Sequence, residues 1–325
     1  MKAVALFSGG LDSSLAIKLI ISQGIDVLAV NISTGFGLAK DKYEHMQQVC
    51  EELGAELRVV NIEDEYLEEV LFNPKHGYGK YFNPCIDCHT KMFTVARKIM
   101  VEEDASFLIS GEVLGQREMS QNKEALQIIL NDANCDGLLL RPLSALELSP
   151  TIAEKNKWVN REELEGIVGR SRERQLKLSK EFGLKDTVSE GCGCLLSDEH
   201  FGKKMNDFIK YDTFTKEDIP VMRYGRHFRL EEGAKLVVSR NKDENRYLQN
   251  VKSSKYMHLR ILDAPGPHVL LSIDASPNDI EFASRAILTY AKTRVHQEYK
   301  VSIDGKEVTT TPFASREDVS IFTIV

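Results

Sequence analysis

From Lys2 to Phe7 the chain is apolar. The turn Ser8-Gly9-Gly10 then separates this run from a segment in which Leu15, Leu19 and Ile20 recur at helical spacing before Gly24. A short unbroken apolar run bounded by turn residues predicts a strand covered on both faces, whereas the three-and-four spacing predicts a helix with one inward face. The same alternation continues through a strand over Val27 to Ile32, a helix over Tyr43 to Leu53 closed by Gly54, and a strand over Leu57 to Ile62. Further on it predicts a helix over Thr90 to Val101, a strand over Phe107 to Ser110, a helix over Lys123 to Leu130 and a buried run over Leu138 to Leu140. Strands alternating with helices predict an α/β fold with a parallel sheet.

Past Pro150 the pattern changes. The charged stretch Arg161 to Phe182 reads as one helix carrying Gly169-Arg170-Ser171-Arg172-Glu173-Arg174-Gln175, either a solvated face or one turned toward RNA. From Ile219 strands are expected at Phe228 to Leu230, Lys235 to Val238, Val269 to Ile273, Tyr299 to Ile303 and Val319 to Val325. Helices are expected over Asp243 to Val251 and Asn278 to Thr293. Three regions follow: residues 1–150, a sheet domain; 151–218, a connecting region that contains cysteine; and 219–325, a smaller α+β domain.

Composition narrows the class without naming it. With 325 residues, 42% apolar and 28% charged, the chain is an ordinary globular protein long enough for two domains. No apolar stretch reaches the ~20 residues of a membrane-spanning helix. The first residues run straight into a strand pattern rather than a signal peptide, so a cytoplasmic protein with no membrane partner is expected. A net charge of −7 disfavours a protein that coats nucleic acid. Yet residues 222–260 hold ten Lys and Arg against four Asp and Glu, a local +6 that leaves −13 for the remainder. A field of that kind binds phosphates on an acidic protein.

The loop after the first strand, Ser8-Gly9-Gly10-Leu11-Asp12-Ser13-Ser14, has the makings of a polyphosphate site. It precedes a helix, whose free N–H groups and dipole favour an anion. Gly9 and Gly10 let the backbone close on phosphate oxygens, and Ser8, Ser13 and Ser14 add hydroxyl donors. No Gly-Lys-Ser/Thr follows, so the loop is not a Walker loop. The string resembles the SGGxDS signature of PP-loop ATP pyrophosphatases. That resemblance implies an adenine nucleotide alpha hydrolase-like fold, ATP and Mg2+ as cofactors, cleavage between the α and β phosphates, and a role for Asp12 in organising magnesium or the loop. It also points to Asn31 and Ser33, after strand two, for the adenosine.

Pro84-Cys85-Ile86-Asp87-Cys88-His89 sets two thiols at CxxC spacing before a helix, where the helix terminus is expected to lower thiol pKa. Gly191-Cys192-Gly193-Cys194 supplies a second pair about a hundred residues later. Soft thiolates suit a structural Zn2+ held by four cysteines, free-thiol persulfide chemistry, or an iron–sulfur cluster held by three of them, and ligand type does not choose.

Together with Asn83 to His89, the strings Gly111-Glu112-Val113-Leu114-Gly115-Gln116-Arg117, Leu140-Arg141-Pro142-Leu143 and Gly193-Cys194-Leu195-Leu196-Ser197-Asp198 resemble the tRNA thiouridine synthases of the 2-thiouridylase and 4-thiouridine synthase group. The resemblance covers most of residues 1–200. It implies a [4Fe-4S] cluster on Cys85, Cys88 and Cys194, with Zn2+ the alternative, and nucleotide contacts from Gly111 and Gln116. It further implies catalytic roles for Asp12, Cys85 and Cys194, and a sulfur donor such as sulfide or a persulfide carrier. Cys192 departs from the pattern, where relatives carry glycine; it is a candidate replacement or fourth ligand.

Near the other end, Arg223-Tyr224-Gly225-Arg226-His227-Phe228-Arg229 interleaves cations with aromatic rings, a composition suited to phosphates and stacked bases. Residues 220–300 resemble the RNA-binding module of NFACT proteins, which implies RNA contacts from Arg223, Arg226, His227, Arg229 and Arg240, with tRNA or another RNA as the partner. The expectation is therefore an ATP-dependent uridine sulfurtransferase acting on RNA. An adenylating ligase or amidotransferase acting on a small carboxylate would explain the loop but leave the thiols and the basic module idle. A non-enzymatic RNA-binding protein would leave SGGLDSS idle.

Overall fold

The computed structural model describes residues 1–37, 42–184 and 193–324, without the side chain of Lys42. The chain divides into two compact units, Met1–Ser197 and Asp198–Val325.

Unit one is built from β1 (Lys2–Leu6), α1 (Leu11–Ile21), β2 (Asp26–Ser33), α2 (Lys42–Leu53), β3 (Glu56–Asn61), α3 (Glu63–Tyr66, running on as a π-helical turn over Leu67–Leu71), α4 (Cys85–Glu102), β4 (Phe107–Ile109), α5 (Lys123–Asp132), β5 (Leu139–Leu140), α6 (Ile152–Lys155) and α7 (Glu173–Glu181). Among the described residues the strands form one sheet of order β3-β2-β1-β4-β5, every pairing parallel. Ala3, Val4 and Ala5 of the central strand are at most 1% exposed, which is why the run reads as continuously apolar. Ala3, Ala5 and Phe7 pack with Ala16, Ile17 and Ile20 of α1 and with Val49 and Leu53 of α2.

The strand order reverses between β1 and β4. In an open parallel sheet the crevice for a ligand lies at that reversal, beyond the carboxyl ends of the two strands. Here those ends lead into Ser8–Gly10 and into Ser110–Gly111. The expected helix over Arg161 to Phe182 is interrupted: a 3-10 turn spans Arg161–Glu163 and α7 begins only at Glu173, with Gly169 between them at φ +89°. A backbone in that region cannot continue a right-handed helix.

Unit two contains α8 (Glu199–Tyr211), α9 (Asp218–Arg223), β6 (Arg226–Arg229), β7 (Lys235–Val238), α10 (Lys242–Gln249), β8 (Tyr256–Ile261), β9 (Val269–Ser272), α11 (Pro277–Thr289), β10 (Tyr299–Ile303), β11 (Lys306–Thr310) and α12 (Glu317–Ser320). Its sheet, of order β11-β10-β8-β9-β7-β6, is antiparallel at each described pairing. Phe228, Leu236, Leu259 and Leu271 bury one face with Ala283 and Ile287 of α11, while Val237 and Leu270 bury the other with Val221 and Leu248. Of the strand expected over Val319 to Val325, the described residues to Ile324 instead finish α12 and attach to β6, with Ile324 N–H donating to the His227 carbonyl at 3.0 Å.

Candidate nucleotide and thiol site

Gly9 adopts φ +76°, and a Cβ there would come within 2.8 Å of Met46 Cγ. Glycine is therefore required at the bend, and Gly10 in extended conformation opens α1. The hydroxyls of Ser13 and Ser14 both donate to the Gly10 carbonyl at 3.0 Å, and Ser8 and Ser13 place their Oγ atoms 3.2 Å apart. Ser14 has no exposed surface and braces the loop from inside; Ser8 stands exposed at its mouth. Asp12, in the first turn of α1, accepts a hydrogen bond from Gln116 Nε2 at 2.9 Å on Oδ2, while its Oδ1 is buried without a partner. Asn31 donates to the Phe7 carbonyl at 2.8 Å, tying β2 to the strand that ends in the loop.

Gly111 closes the other wall. A Cβ there would lie 2.5 Å from Ser13 N and 2.6 Å from the Asp12 carbonyl carbon, so the chain after β4 rests directly on the first turn of α1. The next residue, Glu112, is 5% exposed and holds three partners: His89 Nδ1 at 2.7 Å, Arg141 Nε at 2.8 Å and Ser110 Oγ at 3.1 Å. Burial alone would raise its pKa, but the Arg141 guanidinium and then His89 outweigh that and hold the carboxyl down at about 2. Glu112 is thus a fixed anion bridging the loop wall to α4.

His89 follows Cys88 on α4, and the thiols gather at this end of the helix. Asn83 Nδ2 donates to Cys85 Sγ at 3.1 Å, and Tyr66, 1% exposed, shares a hydrogen bond with the Cys88 thiol. Cys194 arrives from the far end of the unit through a bridge between Gly37 and Cys194, with Leu195 N–H donating to the Phe36 carbonyl at 3.0 Å. The three sulfurs lie near enough to feel one another's charge. The acidity of Cys88 and Cys194 runs against the expectation of a lowered thiol pKa. Burial foremost, then the neighbouring Cys194, pushes the Cys88 thiol up to about 12, and burial pushes Cys194 up to about 11. Desolvation here exceeds what a helix terminus gives back. All three thiols are free. Among the described residues no three His, Cys, Asp or Glu side chains already stand in an ion-holding arrangement. Cys192 lies outside the described residues.

In unit two the cation-rich strand β6 turns half of its side chains inward. His227, expected at an RNA surface, is 2% exposed with Nε2 2.8 Å from the Tyr224 carbonyl, and burial holds its pKa well below the usual range. Arg229, on the same face two residues on, bonds both Asp207 oxygens at 3.1 and 2.6 Å and the Gly233 carbonyl at 2.8 Å. Arg226 points to the opposite face and lies 5.1 Å from the Tyr290 ring centroid. Arg223 ends α9, partly exposed, and Arg240 is exposed with its Nε on Glu244 at 2.7 Å.

The family model described as thiamine biosynthesis protein (ThiI) matches residues 1–163, just over half of the 325-residue chain. The chain belongs to the ThiI family. The ThiI match carries both strand ends of the crevice, and a second model, the NFACT protein RNA binding domain, matches residues 225–319. A tRNA-specific 2-thiouridylase of Fusobacterium nucleatum is 30% identical over 132 residues, 40% of this chain and 34% of that protein. A probable tRNA sulfurtransferase of Thermococcus kodakarensis is 29% identical over 151 residues, 45% of this chain and 38% of that protein. The chain thus spans about a third of the length of these relatives. A solved complex of a 4-thiouridine synthetase with RNA and bound ATP is 24% identical, covering 56% of this chain and 51% of that one, at a TM-score of 0.37, too weak a likeness to bear on the fold.

Within this ThiI-family unit, sequence reasoning gave no role to Glu112, Arg141 or Tyr66. Each acts through contacts between residues far apart in the chain. The available signal was charge just beyond two apolar strands: an acid three residues past the end of β4 and an arginine straight after β5, on adjacent strands of a buried sheet.

Proposed function

We propose that the chain is an ATP-dependent tRNA uridine sulfurtransferase. The observation that carries this reading is the dipeptide Gly111-Glu112, which joins the two chemistries. Gly111 rests on the loop at Asp12 and Ser13, and Glu112 holds the histidine that follows Cys88. The names of the two curated relatives and the match to an RNA-binding domain support tRNA as the substrate.

A uridine carbonyl oxygen attacks the α-phosphorus of ATP, the bond from that phosphorus to the bridging oxygen breaks, and pyrophosphate leaves. Loop N–H groups and the positive end of α1 face the charge that develops on it. A sulfur nucleophile then adds to the activated ring carbon and AMP departs with the former carbonyl oxygen. The unpartnered Asp12 Oδ1 fits a magnesium ion, which would neutralise phosphate charge.

The donor set fits an iron–sulfur cluster: three thiols from two segments, of which burial keeps Cys88 and Cys194 neutral until a cation claims them. Cys85, Cys88 and Cys194 would hold it, and its chemistry would be to present sulfide. Asn83 and Tyr66 orient two of these sulfurs, and Glu112 fixes His89 beside them. Free thiols of this kind persist in a reducing cytoplasm.

The test is mass spectrometry of tRNA nucleosides from cells lacking the gene. One thiolated uridine should disappear, return with the wild-type chain, and stay absent with Cys194→Ser. An unchanged nucleoside profile would remove the proposal.

A further inference from the structure

The string Gly169 to Gln175 suggested a solvated helix face or one turned to RNA; its first four residues precede α7, and the segment is tied to the chain after β4. Val168 forms a bridge with Leu114, and Gly169 N–H donates to the Leu114 carbonyl at 2.7 Å. Gly115, at φ +76°, supplies the left-handed backbone that the wall needs at this turn. The arginine-rich turn is thereby seated on the wall that begins at Gly111. Its side chains then divide. Arg170 pairs with Glu118 in solvent. Arg174 is bound at 2.9 Å to Glu165 and at 3.3 Å to Glu181. Gln175 has no exposed surface, donates weakly to Gln116 at 3.4 Å, and leaves its Oε1 buried without a partner. Arg172 alone of these arginines turns to the loop, with Nη2 3.7 Å from Asp12 Oδ2.

That separation is beyond hydrogen-bond length, and the side chain is 37% exposed, so the pair is loose and readily exchanged. A carboxylate at the mouth of an anion-binding loop would by itself repel the phosphates of ATP, and a guanidinium is the side chain best shaped to hold two phosphate oxygens at once.

We infer that Arg172 is a phosphate ligand of the nucleotide site, resting against Asp12 in the free protein and moving onto the β and γ phosphates of bound ATP. The inference rests on the nucleotide reading above and adds to it. When the bond at the α-phosphorus breaks, the electron pair goes to the departing pyrophosphate, and Arg172 lies against that charge.

Calorimetric titration of the full chain, in magnesium buffer, with ATP, inorganic pyrophosphate and AMP tests this. Arg172→Ala should weaken pyrophosphate and ATP at least tenfold and leave AMP within twofold, because AMP lacks the phosphates in question. Arg172→Lys should fall between, and Arg170→Ala should match the wild type for every ligand. Unchanged pyrophosphate and ATP binding in Arg172→Ala overturns the inference, as does an equal loss for AMP, which would mark a structural role. A wild-type chain that binds no ATP would sink the nucleotide reading itself, a failure distinct from either.

Discussion

Replacing Glu112 by glutamine keeps the shape of the side chain and removes the charge that Arg141 and His89 share. Arg141 is 4% exposed and already leaves Nη2 without a partner, so the variant buries a guanidinium with no anion beside it. Breaking a buried pair in this way costs about 3–5 kcal/mol. Linkage gives a similar figure. The Glu112 pKa falls from 4.5 to about 2 on folding, and at about 1.4 kcal/mol per unit this is about 3 kcal/mol. The sign follows from the depressed pKa: the contribution is complete above about pH 4.5 and is lost as pH falls toward 2. For a unit of this size about 3 kcal/mol corresponds to a Tm lower by roughly 6–12 °C. Thermal unfolding followed by far-ultraviolet circular dichroism should show that gap for Glu112→Gln at pH 7, narrowing between pH 4.5 and pH 3. Glu112→Gln combined with Arg141→Met should regain a good part of it. A Tm within 2 °C of wild type at pH 7, or a gap that stays constant in acid, would refute the reasoning.

Gly111→Ala sets a methyl group 2.5 Å from Ser13 N and must displace the first turn of α1, so ATP affinity measured by calorimetry should fall on the order of 100-fold. Cys194→Ser should abolish thiolated product in a reconstituted reaction while leaving ATP affinity within twofold, since the residue is grouped with Cys85 and Cys88 rather than with Ser8–Ser14. Arg229→Ala strips Asp207 of its main partner and should cost about 3 kcal/mol in urea unfolding. Arg240→Ala, exposed on the same unit, should cost about 1 kcal/mol or less and lower the salt slope of tRNA binding by about one.

The pyrophosphate loop was legible because its cause is local. A doubly buried strand, a glycine at positive φ and a helix start lie within fourteen consecutive residues, and each leaves a mark in the sequence. The thiols were legible as candidates but not in their chemistry, since burial and then Cys194, distant in the chain, raise the pKa of Cys88. Gly111 was marked by resemblance alone; its physical reason, a backbone contact with Asp12, spans a hundred residues. In unit two, β11 escaped notice because Lys306–Thr310 is a polar edge strand without an apolar face. Asp304-Gly305, at φ 45° and 88°, was the hairpin signal that could have revealed it. His227 and Arg229 looked like surface residues because strand alternation does not say which face is covered, and α8, which supplies Asp207, had not been anticipated.

The proposed reaction splits ATP at the α-phosphorus while RNA is bound. Purified protein, unmodified tRNA, a sulfide source and ATP labelled at the α-phosphate measure this directly by chromatography of the labelled product. Such a reaction gives labelled AMP, formed only when tRNA is present and in step with thiouridine; labelled ADP, or AMP formed at the same rate without RNA, would contradict it.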